Sequence, residues 1–415
     1  MRSTYAVFAA LGLAVATWAS RLPQIRARMD LDPASLGLLL LVIAVGGVVV
    51  LPLAGAVVTR LGPRRAVTAV AVLVGVGLGA VALGYALWAP LLVAGLFLLG
   101  AATGFWDVAV TVHAAAVERR LGRPVMPRFF AAFSLGTVAG ASFGALMSAW
   151  RVPVSLHIGA VAILIALVTP VAARHFLPES VPRMAGAPRV KASRPGLAPW
   201  REPRTVVIGL TALTFAVAEG AGSNWISLAV IDRHHTTAAV GTLTYALFLA
   251  AVTLGRWFGP AIVDRSGRPG ALRAAAGVAA VGVVLFALGP NTWTASGGVL
   301  LWGTGAALGF PVALSAGADE PVHAADRVGA ITSIGYCGFV GGPPLIGFLA
   351  GRTGLVHALL VVAVFMTWAV TLAGVARHDP PVSPPPSQTP TFVTPRPSAH
   401  QGEPHADQPA RDRGQ

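Results

Sequence analysis

Two acidic side chains lie inside long apolar stretches of the sequence. Asp107 is in GAATGFWDVAV, residues 100–110, and Glu219 is in AVAEGAGSNW, residues 216–225. A carboxylate in hydrocarbon costs about 2.5–3.5 kcal/mol on insertion scales, so each acid needs a partner, a proton or a polar cavity. Because a buried carboxyl group can take up and release a proton, we predict that both are proton-coupling groups. The alternatives are a structural ion pair for Asp107 and a neutral acid bonded to a backbone carbonyl for Glu219.

Aromatic, amide and hydroxyl side chains near these acids are candidates for binding a small polar molecule. They are Trp18, Trp106, Ser223, Asn224 and Trp225. An aromatic ring can cover the apolar C–H face of a sugar, and an amide both donates to and accepts from hydroxyl groups. For any single tryptophan the alternative is a lipid contact or an anchor at the membrane interface, which we favour for Trp88, Trp150 and Trp293.

Two arginines inside apolar segments also need partners. Arg21, after the first apolar run, either attracts an anionic solute or anchors its helix. Arg256 requires an acid or carbonyl groups, and the nearest acid ahead of it on the same run is Asp264, about two turns away. We expect Arg256 to be structural or to take part in gating.

The elements that carry these residues are membrane-spanning helices. The 415-residue chain is 55% hydrophobic and 11% charged, with a mean hydropathy of +0.72. Its apolar runs reach the roughly 20 residues that cross a bilayer, and lipid leaves only helices or closed barrels as stable spanning structures. Continuous apolarity argues against a barrel. We predict an all-α integral membrane protein with twelve transmembrane helices, including Thr4–Ser20, ended by Pro23, and Trp293–Ala316.

Several classes of function are disfavoured by composition and motifs. The single cysteine, Cys337, excludes a disulfide framework or a cysteine metal cluster, and no Walker lysine motif or HExxH occurs. The net charge of +14 comes from arginines at helix ends, so we expect no nucleic-acid partner. We predict no cofactor and no enzymatic activity.

The distribution of basic residues predicts the orientation. Nineteen Arg and Lys residues fall in the loops on the side of the termini, against six on the opposite side. By the positive-inside rule both termini face the cytoplasm of a multi-pass protein in the bacterial inner membrane. The N-terminal run is similar to a signal peptide, but we expect an uncleaved first helix because eleven further spans follow it.

Proline content divides the chain into four parts. Residues 1–173 form a six-helix bundle, 174–203 a proline-rich cytoplasmic linker, and 204–377 a second six-helix bundle. Residues 378–415, rich in Pro, Ser, Thr, Gln and His, are predicted to be a disordered cytoplasmic tail.

An internal repeat relates the two bundles. Gly100-Ala-Ala-Thr-Gly-Phe105 recurs as Gly305-Ala-Ala-Leu-Gly-Phe310, an offset of 205 residues that also carries Arg60 and Gly62 onto Arg265 and Gly267. Two loci at one spacing indicate a parallel duplication. In such a layout a solute site lies near the membrane midplane between the halves, and access alternates as one half rocks against the other.

The loops after the second helix of each half resemble a motif of the major facilitator superfamily, Gly-x-x-x-Asp-Arg-x-Gly-Arg. The copies here are Gly55-Ala-Val-Val-Thr-Arg-Leu-Gly-Pro-Arg-Arg65, with Thr59 in place of the acid, and Asp264-Arg-Ser-Gly-Arg268. The resemblance covers about residues 4–377 and implies two six-helix halves. It also implies a gating role in the loop facing the termini for Arg60, Arg64, Arg65, Asp264, Arg265 and Arg268, whose alternative role is simply to set topology.

Three further stretches are similar to the fucose-permease-like branch of this superfamily, including its YbjJ-like bacterial members. They are Trp18-Ala-Ser-Arg-Leu-Pro23, Val117-Glu-Arg-Arg-Leu-Gly-Arg-Pro124 together with Asp107-Val-Ala, and Glu219-Gly-Ala-Gly-Ser-Asn-Trp225. The resemblance implies a secondary transporter for a sugar or similar small polar solute, coupled to protons. An efflux pump for amphipathic drugs or secondary metabolites remains an alternative, as does a non-transporting receptor or scaffold. We expect a monomer in the lipid bilayer.

Overall fold

The computed structural model describes residues 1–121, 125–176, 198–319 and 324–377, and these residues form helices and short connections without a β-strand. The first half contains α1 (Arg2–Ala19), α2 (Leu22–Met29), α3 (Pro33–Leu61), α4 (Pro63–Leu87), α5 (Ala89–Leu121), α6 (Met126–Ala149) and α7 (Val154–Ala173). The second half contains α8 (Ala198–Arg201), α9 (Pro203–His234), α10 (Ala238–Leu288), α11 (Thr292–Ala306), α12 (Gly309–Gly317), α13 (Ala324–Thr353) and α14 (Leu355–Leu372), followed by a 3₁₀ turn, Ala373–Ala376.

The predicted twelve membrane crossings are confirmed. Eleven helical segments of the described chain are long and apolar enough to cross a membrane, and α10 alone has 51 residues. At 1.5 Å per residue α10 would be about 77 Å long, more than twice the thickness of a hydrocarbon core. Gly267, with φ 68° and ψ 166°, divides it into two crossings.

The backbone also confirms the parallel repeat. Gly62, in the equivalent loop of the first half, has φ 79° and ψ 151°, close to the values at Gly267. Only glycine adopts this region of backbone space readily. The same glycine-dependent turn therefore occurs at positions 205 residues apart in the two halves.

Prolines account for two departures from the predicted spans. The first helix ends at Ala19, and Pro23 lies in the first turn of α2 instead of ending α1. Proline fits there because the first helical N–H groups have no intrahelical acceptor. The predicted span Trp293–Ala316 is divided into α11 and α12, because Pro311 cannot donate the hydrogen bond that would join it to Ala307.

Among the described helices, the halves meet chiefly along two pairs. α6 packs against α10, and α3 packs against α13. We call the end of the bundle that holds the start of α1 and the end of α14 the terminal end, and the opposite end the distal end. Trp88, Trp150 and Trp293 lie at helix ends on the distal side and are 63%, 65% and 88% exposed, as expected for interface anchors.

The predicted linker is described only at its edges. Arg174–Phe176 follow α7, and α8 precedes α9. Residues 177–197 and the predicted tail, 378–415, lie outside the described residues, so the proposed linker and tail stay predictions.

Candidate functional site

A cavity of about 220 Å³ lies between the two halves, near the middle of the bundle. Its walls come from α3 and α5 of the first half and from α13 of the second. The lining residues are Ile43, Ala44, Gly47, Val48, Leu51, Gly100, Thr103, Gly104, Asp107, Tyr336, Phe339 and Val340. Glycines on facing helices bring α3 and α5 together here, since a Cβ at Gly104 would lie 2.9 Å from the carbonyl oxygen of Gly47.

Asp107 is the one acidic residue among the described residues that line the cavity. Its side chain is exposed, and it makes no hydrogen bond or ion pair with a described residue. Thr103 and Gly104 lie beside it, as the helical spacing predicts, and the Thr103 hydroxyl donates to the carbonyl oxygen of Leu99 at 2.8 Å. The cavity therefore holds an unpaired carboxyl group on a mostly apolar wall.

The wall contributed by the second half is aromatic. Tyr336 and Phe339 line the cavity, and Phe310 of α12 packs against both, with all three ring centroids 6.1 Å apart. None of these three residues was predicted from the sequence to line a site. Their three-residue spacing on α13 puts Tyr336 and Phe339 on one helix face, which is the signal that would have identified them.

The halves are in contact on the distal side of the cavity. Arg26 Nη1 donates to both oxygens of Asp232, at 2.9 and 2.7 Å, and the Thr242 hydroxyl donates to the carbonyl oxygen of Ser20 at 2.9 Å. Gly37 of α3 meets Gly347 of α13 closely, because a Cβ on Gly347 would lie 3.1 Å from Gly37 Cα. Ile43 is six residues beyond Gly37, or about 9 Å along the helix. The cavity is thus separated from the distal end by packed backbone.

Glu219 forms an ion pair inside the second half. Arg256 Nη2 of α10 lies 2.7 and 2.9 Å from the two carboxyl oxygens of Glu219 on α9. Asp264, the acid considered from sequence as the partner of Arg256, is exposed instead. Gly220, the next residue after Glu219, faces α13, because a Cβ at Gly220 would lie 3.3 Å from the cavity-lining ring of Phe339.

The predicted binding residues are not brought together around the cavity. Trp18 is 4% exposed, Trp106 and Trp225 are 0% exposed, and the indole N–H groups of Trp106 and Trp225 have no hydrogen-bond partner among the described residues. Asn224 donates to the carbonyl oxygen of Gly220 at 2.8 Å. Ser223 is half-buried one residue earlier. A binding role for these five residues stays a prediction and requires the helices to move.

Arg21 is an anchor between helices. It is 1% exposed, its Nε donates to His157 Nδ1 at 2.9 Å, and its Nη2 donates to the Val152 carbonyl oxygen at 3.1 Å. These contacts tie the end of α1 to α7. Of the two roles considered for Arg21, the structure supports helix anchoring.

The two copies of the loop motif have different surroundings. Arg60, Arg64 and Arg65 are exposed and make no ion pair or hydrogen bond with a described residue. In the second copy Asp264 and Arg265 are also exposed, but Arg268 pairs with Asp319 and donates to Ser315 Oγ at 3.0 Å. Asp319 also pairs with Arg204, so these contacts of Arg268 lie within its own half.

Comparison with known proteins places this architecture in a family. The model of the Major Facilitator Superfamily matches residues 4–338. The uncharacterised transporter y4wD of Sinorhizobium fredii is 31% identical over 379 residues, which cover 91% of this chain and 98% of that protein.

Solved structures show the same fold. The nucleoside transporter NupG, in a single-substitution variant, superposes with a TM-score of 0.74 at 13% identity, over 90% of this chain and 99% of that one. The D-xylose–proton symporter superposes with a TM-score of 0.71 at 14% identity, over 91% and 97% of the two chains. With twelve membrane crossings, a repeated loop and a cavity between its halves, the chain belongs to the Major Facilitator Superfamily and is a membrane transporter, not an enzyme.

Proposed function

We propose that this transporter is a secondary active carrier that moves a small solute by alternating access and couples the movement to protons. The observation that carries the proposal is the unpaired Asp107 carboxyl group in a cavity between the halves, separated from the distal end by contacts that join the halves. We further propose that both termini are cytoplasmic in the bacterial inner membrane. The excess of arginine in the terminal-end loops supports this orientation.

With that orientation, the distal end faces outward and the structure corresponds to a state closed to the outside. The contacts that close it include Arg26 with Asp232, Thr242 with Ser20, and Gly37 with Gly347. Rocking one half against the other would break this set and form contacts at the terminal end. Arg60, Arg64 and Arg65 are free of partners among the described residues and are available for that closed state.

Proton coupling is assigned to Asp107 and Glu219. A carboxyl group at the middle of a membrane protein costs free energy. The acids that do occur there mark functional sites such as solute and proton pathways. Protonation of Asp107 changes the charge of the cavity directly. Protonation of Glu219 would release Arg256, so a proton there changes the packing of α9 against α10.

Two classes of solute are candidates, a polar solute and an amphipathic one. The structural relatives include carriers of nucleosides and of xylose, which favours a polar solute. The cavity wall is mostly apolar and aromatic, with Thr103, Asp107 and Tyr336 as its polar side chains among the described residues. That wall favours an amphipathic solute, as in an efflux pump, because a sugar requires several paired hydroxyl groups.

The test is proton flux in proteoliposomes that hold the purified full chain and a trapped pH-sensitive dye. The vesicles receive D-xylose, L-fucose, uridine and amphipathic cations in turn. We expect one class to drive a proton flux that Asp107→Asn and Glu219→Gln abolish. Asp30→Asn is the matched control, because Asp30 is exposed in a distal loop with φ 50°, where asparagine is well tolerated.

Each result discriminates among the functions. Solute transport without proton movement, unchanged in both variants, would make the two acids structural and overturn the coupling proposal. Ligand binding with no transport under any imposed gradient would favour the receptor or scaffold alternative.

A further inference from the structure

The cavity holds a carboxyl group whose charge, when it is ionised, no described residue balances. Asp107 is the acidic residue of its lining and makes no ion pair or hydrogen bond with a described residue, whereas Glu219 is neutralised by Arg256. The Asp107 side chain is exposed to the cavity, but an unpaired carboxylate on an apolar wall inside a membrane-spanning bundle is unfavourable, so the site is satisfied by a proton or by a cationic ligand. A ligand that replaces the proton must carry positive charge.

The facing wall also favours a cation. Tyr336 and Phe339 present aromatic rings to the cavity, and Phe310 supports both rings from α12. The negative ring faces attract an ammonium group within about 6 Å, by about 0.5–2 kcal/mol depending on how fully the cation is desolvated. The carboxyl group and the two rings together line a space suited to a positively charged group that carries apolar substituents.

The small number of polar side chains that line the described cavity argues against a sugar in this position. A monosaccharide has about five hydroxyl groups, and each one left unpaired in a buried site costs about 1–3 kcal/mol. Thr103, Asp107 and Tyr336 are the polar side chains lining the described part of the cavity, and the Thr103 hydrogen atom is already donated to Leu99. The volume of about 220 Å³ holds one ring-sized group.

The geometry points to an organic cation as the solute: an amine or quaternary ammonium whose charged group lies on the Asp107 carboxylate and whose apolar body lies against Tyr336 and Phe339. This inference rests on the proposed transport function and specifies its solute class. It also places proton and solute at one carboxylate, so the two exclude each other there. The other titratable side chain lining the described cavity is Tyr336, which faces Asp107 from α13.

The test is equilibrium binding to the purified full chain in detergent at pH 8, measured by isothermal titration calorimetry. The probe is benzyltrimethylammonium, whose charge is permanent, compared with neutral 2-phenylacetamide, D-xylose and uridine. We expect benzyltrimethylammonium to bind at least about tenfold more tightly than 2-phenylacetamide, which corresponds to 1.4 kcal/mol or more. Asp107→Asn should remove that preference, and Asp30→Asn should keep it.

A second pair of variants separates the ring from the hydroxyl group. Tyr336→Phe keeps the ring and should bind benzyltrimethylammonium within about twofold of the unmodified protein. Tyr336→Leu removes the ring and should weaken binding about two- to fivefold. The thermal unfolding midpoint of each variant, measured in the same detergent, establishes that it is folded.

Three outcomes are decisive. Binding of benzyltrimethylammonium that is unchanged in Asp107→Asn would overturn the inference, as would Asp107-dependent binding of D-xylose or uridine in the absence of cation binding. In the latter case, proton-coupled flux of that sugar or nucleoside would leave the transport function intact. If the cation binds as expected but drives no flux in proteoliposomes, the site stands and the proposed transport function fails.

Discussion

Arg256 on α10 and Glu219 on α9, 37 residues apart in sequence, form a two-point contact through one guanidinium nitrogen. The Glu219 side chain is 17% exposed and that of Arg256 is 36% exposed. Each group compensates the other's charge. Either charge left alone inside the helical bundle would be energetically costly. The ion pair thus couples a titratable acid to the packing of two helices.

Removing one partner of this pair should destabilise the protein more than removing both. A fully buried pair broken on one side costs about 3–5 kcal/mol, and the partial exposure of Arg256 reduces our expectation to about 1–2 kcal/mol. We expect Glu219→Gln and Arg256→Gln each to lower the thermal unfolding midpoint. The double variant should recover part of the loss, as measured in a double-mutant cycle by thermal unfolding in detergent. Strictly additive losses would show that the two side chains are not coupled.

The backbone contact between α3 and α13 predicts a substitution that opens the distal end. A Cβ at Gly347 would lie 2.5 Å from the Pro33 carbonyl oxygen and 3.1 Å from Gly37 Cα, both backbone atoms of the other half. Gly347→Ala therefore requires the halves to separate there. Gly341→Ala is the matched control, because a Cβ at Gly341 of the same helix would have no atom within 4 Å.

The readout is alkylation of Thr242→Cys, a position 0% exposed at the contact between the halves, in a Cys337→Ser background. A membrane-impermeant maleimide should react with it about 5- to 30-fold faster in Gly347→Ala, for a shift of 1–2 kcal/mol. Equal rates in Gly347→Ala and Gly341→Ala would mean that this contact does not hold the distal end closed.

The helices were predictable from sequence, but the pairing of their faces was not. Apolar run length and the repeated glycine turn predicted twelve crossings and the duplication, and four-residue spacing placed Thr103 beside Asp107. Helical periodicity says which residues share a face, not which helix that face meets. For this reason the sequence suggested Asp264 as the partner of Arg256, and the contact with Glu219 appeared only in three dimensions.

The aromatic side of the cavity was missed for a related reason. Tryptophans near the two acids were chosen for their chemistry, yet Trp106 points into the helix packing while its neighbour Asp107 lines the cavity. Adjacent helical residues project about 100° apart, so nearness in sequence is a poor guide to a shared surface. Tyr336 and Phe339 lie more than 200 residues from Asp107 and meet it through the packing of the two halves.

The ion pair between Arg26 and Asp232 should contribute to closure of the distal end. Both side chains are partly exposed, at 23% and 37%, so the pair contributes about 0.2–1 kcal/mol. Arg26→Gln should raise the alkylation rate of Thr242→Cys about two- to fivefold, and the swap of Arg26→Asp with Asp232→Arg should lower it again. Arg28→Gln is the control, since Arg28 is exposed on the same helix. A similar increase in Arg28→Gln would assign the effect to net charge.

Glu202, at the start of α9, predicts a pH-dependent contribution to stability at the terminal end. Burial alone would raise the pKa of its carboxyl group, but hydrogen bonds from Thr205 and Arg327, together with the positive charges of Arg327 and Arg204, outweigh burial and hold that pKa below its ordinary value. A carboxyl group with a lower pKa in the folded state stabilises the protein above its unfolded pKa, near 4.3, and loses that contribution as pH falls through the folded pKa. We expect Glu202→Gln to cost about 0.2–1 kcal/mol at pH 7, because the pair is partly exposed. The difference in unfolding midpoint between Glu202→Gln and the unmodified protein should shrink steadily below pH 4, whereas Asp30→Asn should show little difference at pH 7. A difference that stays constant across this range would mean that the ionised carboxylate is not what stabilises the contact with Arg327.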